Sequence, residues 1–295
     1  MQTLDTLKRQ IKNVEDLSSV VRTMKTLAAV SIRQYELAVE SLAGYYGTIE
    51  DGLRILLWNQ ATAPEIDKHR TNPRTGVVIF GSDQGMCGQF NEQIVNFTTD
   101  VMAERLQQKK EKWSFMAVGA RVASRLEEHG YTVDRVFPVA GSASEITTIV
   151  QDLLQGIDHW RSEAKLGSVQ LLYNQRQSAS SYQPFQFELL PIGPEKFQKM
   201  RQKRWESRTL PRYTMDQRQL FSQLIQQYIF VCLFRASAES LAGENASRIA
   251  SMQAAERNIK DRLSELRMSY QQTRQTSITE ELLDVVTGFE ALSDS

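Results

Sequence analysis

Proline is missing from both ends of this 295-residue chain. All seven, Pro64, Pro73, Pro138, Pro184, Pro191, Pro194 and Pro211, fall in the middle, and none lies in residues 1–63 or 212–295. A proline inside a helix removes a hydrogen bond and clashes with the preceding turn. Two long terminal segments are therefore free of the strongest helix breaker. Cysteine is nearly as scarce. Cys87 and Cys232 are too few and too far apart for a disulfide framework or a metal knuckle. They read as ordinary thiols of a reducing compartment. Neither sign of charge is in excess, with Lys plus Arg and Asp plus Glu at 35 each, so nothing argues for nucleic acid as a partner. The longest strongly apolar run, residues 228–234, is far short of the ~20 residues a membrane helix needs. Nor does a signal-peptide core follow Met1. A soluble chain without direct bilayer insertion is expected. His69, His129 and His159 are isolated, and no Ser–His–Asp or paired-carboxylate arrangement can be drawn. No catalytic, cofactor-binding or metal-binding residue is expected.

What is present at the ends is periodicity. Leu4, Leu7, Ile11, Val14, Leu17, Val21, Met24, Ala28, Ile32 and Tyr35 open a stripe that recurs at steps of three or four through Leu56. A period near 3.5 is the seam of a coiled coil. The C-terminal segment repeats it, from Leu220, Leu224, Tyr228 and Val231 through Ile259, Leu263, Leu266 and Tyr270. Helical patterns far beyond 25 residues point to a coiled coil rather than to a bundle of ordinary helices. One helix enters the middle of the chain and the other leaves it, so a pair of them is antiparallel. The second, from about residue 212 to 292, outruns the first by some 27 residues, an overhang of ~40 Å. Its last part still carries Ile278, Leu282, Val285, Phe289 and Leu292, with acidic neighbours and no Lys or Arg beyond Arg274. An apolar stripe with no helix of its own chain to cover it marks a partner surface.

Between residues 75 and 195 the period changes. Residues 76–82 read as a buried strand, followed by a glycine-punctuated loop and a helix over 91–112. Strands over 113–118, 131–139 and 168–173 alternate with helices over 121–129 and 143–165, and 185–190 reads as an edge strand. That alternation predicts a Rossmann-like parallel α/β sheet covered on both faces. The predicted division is an N-terminal coil helix over 1–63, an α/β domain over 64–195, a basic linker over 196–211 and a C-terminal coil helix over 212–295. The glycines of the loop after the first strand could let backbone amides approach a phosphate. No G-x-G-x-x-G, P-loop lysine or ribose-binding acid accompanies them, and a tight turn capped by Asn91 is the preferred reading.

Three stretches together resemble the gamma subunit of F-type ATP synthases, the rotating central stalk. The first is Ile11-Lys12-Asn13-Val14 with Met24-Lys25-Thr26-Leu27-Ala28-Ala29. The second is the loop Ser82-Asp83-Gln84-Gly85-Met86-Cys87-Gly88-Gln89-Phe90-Asn91. The third and most specific joins Glu244-Asn245-Ala246-Ser247-Arg248 to Tyr270-Gln271-Gln272-Thr273-Arg274-Gln275-Thr276-Ser277-Ile278-Thr279-Glu280-Glu281-Leu282 and Gly288. The resemblance spans essentially the whole chain. It implies an antiparallel coiled coil that turns inside a hexamer of alpha and beta subunits. The tip would sit in an apolar sleeve, and the foot would bind an epsilon-type subunit and the c-ring. It also implies a subunit that catalyses nothing itself, peripheral to the membrane at its cytoplasmic face, serving proton- or sodium-driven ATP synthesis.

Carried over position by position, the resemblance puts Arg274, Gln275, Thr279 and Glu281 against the surrounding subunits, with Ile278 and Phe289 on the tip. Met24 and Lys25 would lie at the lower collar, and the Asp83 to Cys87 loop would face the same collar. Departures are Gly243 for a usual serine, Gln226-Gln227 for Pro-Arg, Val30-Ser31 for Ser-Lys, and Phe289-Glu290 for small residues. They point to a divergent or alternative bacterial branch. The other reading of the pattern is a structural coil protein with a globular hinge, without a rotary role.

Overall fold

The computed structural model describes residues 3–58, 74–108, 112–164, 166–178, 181–193, 197–198, 202, 209 and 212–293. In chain order the elements are α1 (Leu4–Trp58), β1 (Arg74–Phe80), α2 (Phe90–Gln108), β2 (Lys112–Val118), α3 (Ala120–Glu128), β3 (Val133–Phe137), α4 (Ile146–Ser162), β4 (Ser168–Arg176), β5 (Tyr182–Leu190) and α5 (Gln217–Ser293). The proline-free ends form single helices of 55 and 77 residues. Two compact units result, Met1–Leu27 with Ile249–Ser295, and Ala28–Arg248. This division falls inside both long helices rather than at their ends. Most of the basic 196–211 stretch lies outside the described residues, but Phe197 within it is buried rather than solvated and packs near Phe221.

In the first unit, α1 and α5 share a core of Val21, Met252 and Ile259, with Val14, Met24, Ala255 and Leu263 against it. Glu15 pairs with Arg267 at 2.7 Å and Lys25 with Glu256 at 2.5 Å. Residue numbers rise on one helix as they fall on the other, so the pair is antiparallel, as the chain path requires. Leu17 does not join this seam. It is exposed, and half-buried Ser18 takes its place. Alternating steps of four and three from Val14 to Val21 pass through residue 18, so the hydroxyl lies on the seam and the leucine beside it.

The second unit is a five-stranded sheet of order β3-β2-β1-β4-β5. Strands β1 to β4 run parallel, and β1 is buried from Thr75 to Phe80, as expected of a strand covered on both faces. The expected parallel sheet is in fact mixed, because β5 pairs antiparallel with β4. The link from Arg176 to Tyr182 is a hairpin closed by Gln177 N–H to the Ser181 carbonyl at 2.9 Å. A connection that short can join only antiparallel neighbours. Helices α2 and α3 cover one face through Ile94, Val95, Val122 and Leu126. The other face packs on α4 and on the inner stretches of α1 and α5, through Leu153, Tyr35, Leu53, Tyr228 and Phe234. Here too the long helices are antiparallel. Tyr45 donates its hydroxyl to Gln227 Oε1 at 2.8 Å, which gives the unusual Gln227 a use. Among the described residues no helix is long and apolar enough to cross a membrane.

Candidate functional site

Among the described residues no side-chain cluster stands out as a catalytic centre, and the geometry offers three surfaces. The first is the end of α5. Glu15–Arg267 and Lys25–Glu256 set a register that puts Leu4, where α1 begins, level with Ile278. Residues 279–293 therefore run on past the start of α1 with no partner helix among the described residues, for ~22 Å at 1.5 Å per residue. The expected 27-residue overhang is an overestimate, because it came from the two helix lengths alone, whereas these cross-helix pairs set the register. Ile278, Leu282 and Val285 lie on one face at steps of four and three and are 51%, 61% and 73% exposed. Leu283 and Val286 widen that face, while Glu280, Glu281 and Asp284 are exposed beside it. A contiguous apolar stripe on an otherwise polar helix end has the composition of an interface core with a charged rim. Arg274, Gln275 and Thr279 are exposed just below, with Thr279 Oγ1 donating to the Gln275 carbonyl at 2.9 Å. The side chain of Phe289 lies outside the described residues.

Met24 and Lys25 sit on the seam of the first unit. Met24 packs on its core. Lys25 donates to Glu256, with Arg22 3.8 Å from the same carboxylate. The hydrogen bond from Lys25 and its charge hold the Glu256 carboxyl below the usual glutamate range. Lys25 thus already has an intramolecular partner, which fixes the position of its ammonium group on the coil surface.

The third surface is the loop after β1. It leaves the sheet beside the point where the strand order reverses, since β1 is followed by β2 on one side and β3 by β4 on the other. Doubly wound sheets take their ligands there, beyond the carboxyl ends of the strands. This loop points its polar groups inward. Ser82 N–H donates to Asn91 Oδ1 at 3.0 Å, and Asn91 Nδ2 to Ser82 Oγ at 2.8 Å. Asp83 accepts from the N–H groups of Ala120 and Val139, each at 2.8 Å. Ala120 is the first residue of α3, where an anion is favoured by the free amides and the helix dipole. Asp83 supplies that anion from within the chain, so the preferred tight-turn reading fits and a phosphate cradle does not. Cys87 is 2% exposed, and burial pushes its thiol up, away from reactivity at neutral pH. Its side chain therefore offers nothing to a partner. The loop's outer face is Gln84, Met86, Gly88 and Gln89, all exposed, with Met86 held at φ 62°.

Sequence reasoning missed what fills this crevice. Glu244, Asn245 and Ser247 of α5 are buried there, and Arg248 is nearly so. Ser247 Oγ donates to the Cys87 carbonyl at 2.5 Å, and Asn174 Nδ2 of β4 donates to the Phe90 carbonyl at 2.8 Å. Arg248 pairs with Glu244 at 2.5 Å. Burial raises the Glu244 carboxyl above the usual glutamate range, and Arg248 offsets only part of that rise. The available signal was the gap in the apolar stripe between Leu241 and Ile249, where small Ala242, Gly243 and Ala246 alternate with polar residues. Nearby, a half-open cavity of about 550 Å³ lies between α1, the β4–β5 edge and α5. Its charged lining residues are paired, Arg235 with Glu239 and Glu40 with Arg33.

A family model described as ATP synthase matches residues 3–292. The chain belongs to that family. A gamma chain of ATP synthase from Syntrophus aciditrophicus is 30% identical over 99% of both chains. One from Alkaliphilus metalliredigens is 23% identical over 97% of both. Among solved structures, a rotor chain of the Euglena gracilis mitochondrial ATP synthase superposes with a TM-score of 0.65 at 16% identity, covering 93% of this chain and 98% of that one. A chain from the same organism's OSCP/F1/c-ring structure gives 0.66 at 17% identity, covering 98% and 94%. These likenesses carry the fold, a pair of long helices flanking a central sheet. The match of this ATP synthase family chain runs from end to end, so neither the helices nor the sheet module is an addition peculiar to it.

Proposed function

We propose that this chain is the rotating central stalk of a membrane F-type ATP synthase, carrying torque between an ion-driven c-ring and a hexamer of alpha and beta subunits. The observation that carries the reading is the unpaired apolar end of α5 in a chain alike over its whole length to gamma chains. Such a stripe needs a bearing of complementary apolar character, and the hexamer supplies one. Arg274, Gln275, Thr279 and Glu281 make polar contacts just below it. Met24 and the Lys25–Glu256 pair face the moving parts of the beta subunits, together with the outer face of the 84–89 loop. The sheet module meets the epsilon-type subunit and the c-ring, and holds the chain at the cytoplasmic face of the membrane as a peripheral component.

In this role the chain is not an enzyme. A rotor shifts the states of its neighbours only through contacts that differ from one neighbour to the next. A single asymmetric helix pair inside a ring of repeated subunits provides that difference at every angle. The experiment is reconstitution of vesicles holding all the other subunits, with and without this chain. Adding it should restore ion transport driven by ATP hydrolysis, while the chain alone turns over no ATP. Transport that is equal without the chain, or hydrolysis by the chain alone, overturns the reading.

A further inference from the structure

The crevice at the carboxyl ends of β1 and β4 is the place where a sheet of this topology takes a ligand, and here a helix of the same chain lies in it. The approach is close. A Cβ added at Gly243 would come 2.8 Å from the Asn174 carbonyl oxygen of β4 and 3.5 Å from the Phe90 ring. One turn on, Ser247 reaches the Cys87 carbonyl. Asn174 ties β4 to the loop through the Phe90 carbonyl, so helix, strand and loop form one knot. The knot is polar and buried, with Asn174 fully inaccessible to solvent. Buried hydrogen bonds are directional, and leaving one partner unsatisfied costs ~1–3 kcal/mol. Apolar packing alone resists separation but lets a helix slide or rotate about its axis with less penalty. The groups that stop such rotation are those bonded across the contact.

Resting on the stalk reading above, we propose that Gly243 and Ser247 are positioning residues of the rotor. They fix α5 to the sheet module, so that turning the module turns the helix without slip. Gly243 permits the approach and Ser247 registers the helix against the loop. Ser237 is a matched control. It is equally buried on α5, but its hydroxyl donates to the Leu233 carbonyl of its own helix at 2.9 Å and so ties nothing across the contact.

The test compares the parent, Ser247→Ala, Ser237→Ala and Gly243→Leu in the full complex in vesicles. The quantity read is ions transported per ATP hydrolysed, as the opposing ion gradient is raised. A joint that slips fails under load. Ser247→Ala should match the parent at zero gradient and fall at least about twofold below it against a steep one. Ser237→Ala should follow the parent throughout, and an assembled Gly243→Leu complex should slip at a shallower gradient than Ser247→Ala. If the Ser247 and Ser237 variants behave alike at every load, the proposal is overturned, whether or not Gly243→Leu assembles. If the parent itself fails to transport, the stalk reading falls first.

Discussion

Replacing Ile278, Leu282 and Val285 together by glutamine would remove the apolar stripe of the tip while leaving the helix able to form, since glutamine is about as good a helix former as leucine and better than isoleucine or valine. Full burial of such a side chain stabilises by ~2 kcal/mol. The fractions still open to solvent, 51%, 61% and 73%, leave ~1, ~1.2 and ~1.5 kcal/mol available to a partner. The ordering costs of association take part of that total, so the expected loss is about 2–3 kcal/mol, or roughly 30- to 150-fold in affinity for the alpha–beta hexamer. The assay is titration of labelled hexamer with parent and variant, alongside thermal unfolding of each free chain by circular dichroism. Because these side chains are mostly exposed and belong to none of the buried core clusters among the described residues, the free variant should melt close to the parent. Unchanged affinity would refute the reasoning, and so would a large loss of stability in the free chain. The second outcome would mean that the tip folds back onto its own molecule.

Two further predictions concern charge. Glu256 should titrate below the ordinary ~4.3 of glutamate, and Lys25→Gln should return it there, as read by carboxyl NMR. Its folded value is depressed, so the stability it contributes is present at neutral pH and is lost as pH falls through that value. The buried Glu244–Arg248 pair should behave differently. Glu244→Gln alone strands the Arg248 guanidinium and should cost ~3 kcal/mol in denaturant unfolding, whereas Glu244→Gln with Arg248→Met should recover most of that. Additive costs for the two changes would show that the pair is not coupled.

The helices were legible because their signal is redundant. A missing proline at each end, a stripe of period 3.5 and the chain path all required an antiparallel pair, and Glu15–Arg267 and Lys25–Glu256 realise it. The strand after Arg74 was equally plain, since an unbroken Val-Val-Ile-Phe run suits only a strand covered on both faces. Less was available for β5. Its alternation marked an edge but not a direction, and the direction came from a hairpin whose length the sequence only bracketed. The overhang was overestimated because helix lengths alone do not give register, which depends on which charges meet across the seam. At the site, the exposed tip was readable from composition. The buried run from Glu244 to Arg248 was not, because a glutamate and an arginine four apart look the same on a solvated helix face as in a crevice.

The filled crevice and the bare tip describe one division of labour. A parallel sheet leaves unpaired amides and a helix dipole beyond its strand ends, and most sheets of this kind use them to hold a substrate. Here Asp83 occupies the amides of Ala120 and Val139, Asn91 occupies Ser82, and Ser247 reaches the carbonyl of Cys87. These groups at the strand ends recognise other parts of the chain instead. Under the proposed joint the consequence is mechanical, since the occupant of the crevice belongs to the same chain as the sheet. On the stalk reading, recognition of other molecules lies toward the end of that helix, where Leu282 and Val285 are largely exposed. On that reading the chemistry lies in the subunits that surround that end.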